Sequence, residues 1–182
     1  NNWYLDGNNA SVVSSDGNKT TVQMGSGYRG DLWLARSGKG KIVNVTPADY
    51  RYFAIKVGFK SQLVPGKNKP NGCIKLEIFD DGIKKIGPEY FGTGGDANNR
   101  YEILGASEIS TTEPNVLYYD LQSKYKTVTP TDWNQVFDLS QCKFVIADFP
   151  ETAQTYDLYW IRSFKSIEEL QAFVDSENNT NE

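Results

Sequence analysis

The chain has 182 residues, enough for one domain with a sizeable core. Its net charge is −4 and no basic face stands out, which argues against nucleic acid as a partner. It contains no histidine, which removes Ser-His and Cys-His catalysis and most zinc sites but leaves lysine, tyrosine or carboxylate chemistry open.

No apolar run is long enough for a membrane-spanning helix. The first residues, Asn-Asn-Trp-Tyr, are not a basic-plus-apolar targeting segment and fit either a mature form or an excised domain. Aromatic residues make up 13%, and rings in excess of what a core needs often serve recognition.

In chain order, residues 1–30 are polar and Gly-rich. Asp16-Gly17-Asn18 reads as a turn between strands near 11–14 and 20–24. Residues 31–35 form a strand with Leu32 and Leu34 on one face and Asp31 and Trp33 on the other. Gly38-Lys-Gly40 turns the chain into a strand at 42–45. Residues 50–60 alternate most clearly. Phe53, Ile55, Val57 and Phe59 make a dry face, and Tyr50, Tyr52, Lys56 and Lys60 the other.

Residues 65–72 are a loop, and 73–79 alternate again with Ile74, Leu76 and Ile78 inward and Lys75 and Glu77 outward. Asp81-Gly82 signals a hairpin into 83–86. Residues 87–99 read as a long surface loop and 101–104 as a short strand. In 116–121, Leu117, Tyr119 and Leu121 share one face, and Tyr118 with Asp120 the other. Residues 127–133 present Trp133 in a loop or short helical turn. Residues 143–149 are apolar on both faces, as in a central strand.

A last strand at 156–165 runs into a helix. Ser166 stands three residues before Glu169, as a capping box requires, and Ile167, Leu170 and Val174 follow at helical spacing beside Phe173. The remaining residues have nothing to bury. The domain is therefore expected to span 1–175, with 176–182 a disordered tail or linker. About nine or ten short strands with Gly, Pro and Asn between them predict an all-β, two-sheet jelly-roll sandwich with a short C-terminal helix. A closed barrel is the alternative.

Cys73 and Cys142 read as small buried thiols, with a disulfide as the alternative. Asn-X-Ser/Thr sequons occur at Asn9, Asn18, Asn44 and Asn178 and are expected by chance in an Asn-rich chain. Asp6, Asp16, Asp96 and Asp157 are the candidate donors for a structural calcium, though no loop has a ligand-rich spacing; no cofactor is expected otherwise.

The aromatics on outward faces and in loops are Trp33, Tyr50, Tyr52, Tyr118 and Trp133, with Trp3 and Tyr28 nearby in type. An indole or phenol ring can stack on the apolar face of a sugar while neighbouring polar groups bind its hydroxyls. This pattern assigns stacking to Trp33, Tyr52, Tyr118 and Trp133, and hydroxyl contacts to Glu77, Asp120 and Arg36. A glycosidase would need paired carboxyls. Asp80-Asp81 belongs to a hairpin turn and Glu168-Glu169 to a first helical turn, where acids suit the dipole.

Trp160-Ile-Arg-Ser-Phe-Lys-Ser-Ile-Glu-Glu-Leu, Tyr28-Arg-Gly-Asp-Leu-Trp33 and Phe144-Val-Ile-Ala-Asp148 together resemble a family of β-sandwich domains from Bacteroides-type glycan-utilisation systems. Tyr159 departs from the pattern, standing where many relatives carry an acid. The resemblance implies a galactose-binding-like jelly roll of the carbohydrate-binding-module kind in a secreted or cell-surface, outer-membrane-associated protein. The expectation is a non-catalytic module for a polysaccharide, with a plant β-glycan such as xylan favoured and other domains of a larger surface protein as neighbours. The alternatives are a structural or protein-binding spacer, and a small glycanase or lyase. Trp160 and Phe164 are expected to pack rather than bind.

Overall fold

A computed structural model describes residues 6–25, 29–35, 43–45, 49–60, 73–80, 84–85, 90–91, 100–101, 110–120, 137–139, 141–147 and 154–180. In chain order the strands are β1 (Asp6–Asn8), β2 (Ala10–Ser15), β3 (Thr20–Met24), β4 (Arg29–Ala35), β5 (Val43–Val45), β6 (Tyr52–Phe59) and β7 (Cys73–Asp80). They continue with β8 (Lys84–Lys85), β9 (Tyr90–Phe91), β10 (Arg100–Tyr101), β11 (Asn115–Asp120), β12 (Phe137–Leu139), β13 (Gln141–Ala147) and β14 (Thr155–Phe164). Helix α1 (Ile167–Asn179) closes the described chain.

One sheet, here sheet A, has the order β1-β4-β13-β7-β9-β10, with β8 on β7; the other, sheet B, has the order β11-β6-β14-β3-β2. A separate pair joins β12 to β5. All pairings are antiparallel except β9 with β10. The described residues are all-β, a two-sheet sandwich closed by the short C-terminal helix α1.

Alternation in the strands builds the core. Phe53, Ile55, Val57 and Phe59 of β6 are buried together with Leu117 of β11, Val22 and Met24 of β3, and Tyr156, Leu158 and Ile161 of β14. Each large side chain removed from water contributes roughly 1.5–3 kcal/mol. Sheet A supplies the fully buried Leu32. At Gly30 the two sheets approach closely. A Cβ there would lie 3.0 Å from the Met24 Cε and 3.0 Å from the Asn9 carbonyl oxygen, so only glycine fits without a shift. Burial pushes the Tyr156 phenol far above its ordinary range, and the charge of the buried Asp31 adds to the effect.

The turn at Asp16-Gly17-Asn18 forms as its composition predicts. Asp16 Oδ1 accepts from the Asn18 N–H at 2.9 Å and the Lys19 N–H at 3.0 Å, and Gly17 takes a φ of 89°. The Lys19 and Asn18 amides hold the Asp16 carboxyl below its usual range. β13 is a central strand, paired with β4 on one side and β7 on the other.

Several expectations change. Of the strand expected at 101–104, Tyr101 lies in β10 (Arg100–Tyr101) and residues 102–104 lie outside the described residues, while the loop expected at 87–99 contains the strand Tyr90–Phe91. β12 carried no readable period at three residues. The helix continues past Val174 to Asn179, into the segment expected to be a tail, because Glu177 turns back onto the sheet. Ile167, expected on the apolar stripe, is 41% exposed. The outer side of β6 is not uniformly wet, since Ala54 is fully buried there beneath α1.

The β7–β13 register decides the cysteine question. Cys73 lies opposite Ala147 and Cys142 opposite Ile78. At about 3.3 Å per residue, this separates the two Cα atoms by roughly 17 Å along the strands, far beyond the ~7 Å limit for a disulfide.

Candidate functional site

The outer face of sheet B is built by the positions of β6 and β11 that alternate with the core residues. Tyr118 pairs with Ala54, and Asp120 with Tyr52, so Tyr52 and Tyr118 are diagonal neighbours. Their rings meet edge to face, with centroids 6.2 Å apart at 76°. Both rings are half-buried. Tyr50, just ahead of β6, is 41% exposed. Cations flank this set: the Arg51 guanidinium lies 5.5 Å from the Tyr52 ring centre and the Lys165 Nζ 5.6 Å from that of Tyr50.

Helix α1 covers the adjoining part of the same face. Ser166 caps it, its Oγ accepting from the Glu169 N–H at 3.2 Å. Glu169 reaches back to the Lys165 N–H at 3.0 Å, one residue before the cap. Leu170 is buried against Ala54 and Phe164, and Phe173, Val174, Trp160, Tyr52, Val116 and Tyr118 pack around them. Trp160 stands edge-on to Phe173 at 5.3 Å and to Phe164 at 6.2 Å. Its indole N–H donates to the Glu177 carboxylate at 3.0 and 3.1 Å, and Lys56 Nζ meets the same carboxylate at 3.2 Å. Trp160 and Phe164 are therefore committed to packing, as the capped helix after them suggests. Tyr159 occupies the bulge in β14 and lies over Gly58, where a Cβ would touch its ring at 3.4 Å.

Trp33 lies on the other sheet. Its register partners are Asp6 on β1 and Lys143 on β13, and Lys143 in turn pairs with Glu77 on β7. Asp6, Trp33, Lys143 and Glu77 thus form one row across four neighbouring strands. The next row, Gly7, Leu32, Phe144 and Leu76, belongs to the opposite side of the sheet, where Leu32 is fully buried. The seven residues predicted for the site therefore divide. Tyr52, Tyr118 and Asp120 share one face of sheet B, Trp33 and Glu77 share a row of sheet A, and Trp133 and Arg36 lie outside the described residues. Tyr50, with Lys165, joins the sheet B group; the hint in the sequence was its place two residues before Tyr52 in the alternating run.

Among the described residues, the candidate calcium donors Asp6, Asp16 and Asp157 do not come together around one point. Asp157 is buried and accepts from Thr21 Oγ1 at 2.7 Å and Lys19 Nζ at 3.0 Å, with Lys60 Nζ at 3.8 Å. Its own burial pushes the carboxyl pKa up, but Thr21, Lys19 and Lys60 together outweigh this and hold it below the usual range. Asp157 is therefore already neutralised by lysines. Asp16 is committed to its turn, Asp6 accepts from the Gly7 N–H at 2.9 Å, and Asp96 lies outside the described residues. Among the described residues, no three acidic, His or Cys side chains gather around one point, and no helix is long and apolar enough to cross a membrane.

Fold and face together define a helix-roofed β-sandwich domain in which Tyr52 and Tyr118 pack half-buried at the edge of the helix cluster and Tyr50 stands exposed beside them. The chain belongs to the family described as domain of unknown function DUF4979, whose model matches residues 1–170. No curated protein matches the chain. A solved structure described as "Structural basis for the promiscuous specificity of the carbohydrate-binding modules from the beta-sandwich super family" is similar at 11% identity and a TM-score of 0.46. The match covers 90% of this chain and 57% of that one, so the chain spans little more than half the length of that structure.

Proposed function

We propose that this domain is a non-catalytic carbohydrate-binding module that holds a polysaccharide, with a plant β-glycan such as xylan the favoured class. The observation that carries this reading is the ring set Tyr50, Tyr52 and Tyr118 beside α1, with Arg51 and Lys165 at its edge. Phenol rings at the surface offer flat apolar area at little entropic cost, and the cations beside them donate to hydroxyl or ring oxygens. Asp120 sits in register with Tyr52 and adds an acceptor position. The setting that goes with this reading is the surface of a cell that degrades plant glycans, with the domain forming part of a larger secreted or outer-membrane-associated protein.

Tyr118→Ala and Tyr50→Ala each remove one ring. Retardation in gels containing xylan should fall about tenfold in affinity for each, equivalent to ~1.4 kcal/mol, while thermal unfolding stays cooperative. Unchanged retardation in both folded variants removes these rings from the site.

A further inference from the structure

We infer that the last turns of α1 occupy a carboxylate-binding site on sheet B, built by Trp160 and Lys56, and that a glycan bearing a uronic acid takes this site when those turns lift. The inference rests on the carbohydrate-binding reading and deepens it by naming the substrate class. Register places Trp160 of β14, Lys56 of β6 and Val116 of β11 in one row of the outer face. The next row holds Arg162, Ala54 and Tyr118, and the one after it Phe164 and Tyr52. Lys56 therefore lies roughly 13 Å along β6 from Tyr52. Helix α1 runs back along this face, from its cap beside Lys165 to Glu177 at the Trp160 row.

The site already holds a carboxylate, the chain's own. The Trp160 indole N–H donates to both Glu177 oxygens at 3.0 and 3.1 Å, and Lys56 Nζ meets the same group at 3.2 Å. The Lys56 and Glu177 side chains are 20% and 28% exposed, so solvent reaches the contact. Arg162, exposed and two residues along β14 from Trp160, adds a second cation, with its guanidinium 4.3 Å from the Phe173 ring. These groups match a uronic acid unit. The indole plane stacks on the sugar ring, while the indole N–H and the ammonium hold its carboxylate.

The segment over the site is the weak part of α1. Leu170, its buried residue, lies near the start of the helix. Past Val174 the helix reads Asp-Ser-Glu-Asn-Asn, with Asp175, Ser176, Asn178 and Asn179 exposed. Ser and Asn are weak helix formers, and the last turn has no basic residue to complement the dipole, whose negative end the acids face instead. These turns open at small cost while Leu170 keeps the first turns seated. With α1 seated, Trp160 packs against it. The apparent affinity for a ligand is then reduced by the fraction of molecules in which the site is covered.

The test is calorimetry of the full chain with two oligosaccharides, xylotriose carrying a glucuronic acid branch and neutral xylotetraose. The unmodified chain should prefer the acidic one. Glu177→Ala should bind it about fivefold more tightly, with neutral xylotetraose little changed. Lys56→Ala also frees the helix end but removes the site, so it should lose the preference, as should Trp160→Phe, which keeps a ring and removes the N–H. Glu177→Gln repeats the first measurement should Glu177→Ala fail to fold. Amide exchange in residues 171–179 of the unmodified chain should quicken when the acidic oligosaccharide binds. Equal affinity of Glu177→Ala and the unmodified chain, or unchanged exchange, overturns the latch. A preference that survives both Lys56→Ala and Trp160→Phe overturns the site. Binding of neutral xylotetraose with no preference in any variant overturns this inference alone, and absence of binding by both the unmodified chain and Glu177→Ala overturns the carbohydrate-binding reading with it.

Discussion

Replacing Asp157 with Ala should destabilise the domain by about 2–3 kcal/mol at neutral pH. The carboxylate is buried on β14 and ties three separate pieces of chain together. It accepts from Thr21 of β3 at 2.7 Å, from Lys19 of the adjoining turn at 3.0 Å and, at 3.8 Å, from Lys60 just past β6. A hydrogen bond from a hydroxyl to a buried charged group is worth about 1.5–3 kcal/mol. The lysines add less. The Lys19 and Lys60 side chains are 36% and 56% exposed, so each pair is worth under about 1 kcal/mol and both ammonium groups can rehydrate when the acid is gone. For a chain of this size the loss corresponds to a fall of roughly 5–10 °C in Tm.

The pH dependence gives the sharper check. Because the folded pKa of Asp157 is held below its unfolded value, its stabilisation is full above about pH 4 and is lost as pH falls through the folded value. Urea unfolding of wild type and Asp157→Ala at pH 7 and again at about pH 2.5 should show the difference between them shrinking at the lower pH. Asp157→Asn, which keeps an acceptor for Thr21, should lose about 1 kcal/mol. A difference that is the same at both pH values would contradict the electrostatic part of this reasoning.

Three further outcomes follow from the packing. Leu170→Ala should cost about 2–3 kcal/mol and shift tryptophan emission to the red, because Leu170 is the buried residue of α1 and Trp160 lies beside it. Asn115→Ala should cost about 2 kcal/mol in chemical unfolding. Its amide donates to the Val57 and Ser110 carbonyls at 3.2 and 3.0 Å and accepts from the Ser110 N–H at 2.8 Å, leaving three groups without their partner. Gly7→Ala should cost at least ~2 kcal/mol, since its Cβ would collide with the Ala10 carbonyl; Gly58→Ala, where the added methyl meets the Tyr159 ring at ordinary contact distance, should stay within about 0.5 kcal/mol. Thermal melts of the pair separate the two cases.

The strands were legible wherever alternation ran for five residues or more, as in β6, β7 and β11, and the capped helix was legible from Ser166 and Glu169. What stayed hidden has physical reasons. β12 is too short to show a period, and its pairing with β5 is a long-range contact. The last turns of α1 contain no apolar residue, so their anchoring through Glu177 to Trp160 and Lys56 left no hydrophobic signal. Ala54 alternates with the core residues of β6; its small size among Tyr52 and Lys56 was the hint that a helix lies over it. The rings could be named from sequence but not grouped. Trp33 and Tyr118 each alternate outward from the core, and only the sheet that each strand joins puts them on opposite faces of the sandwich.

The central claim is that this sandwich recognises a polysaccharide, and an array of plant cell-wall glycans probed with the unmodified chain tests it most directly. Retention on β-linked glycans, xylan foremost, is expected, with little signal on nucleic acid controls. A folded, monodisperse chain that binds no glycan on such an array would contradict the claim.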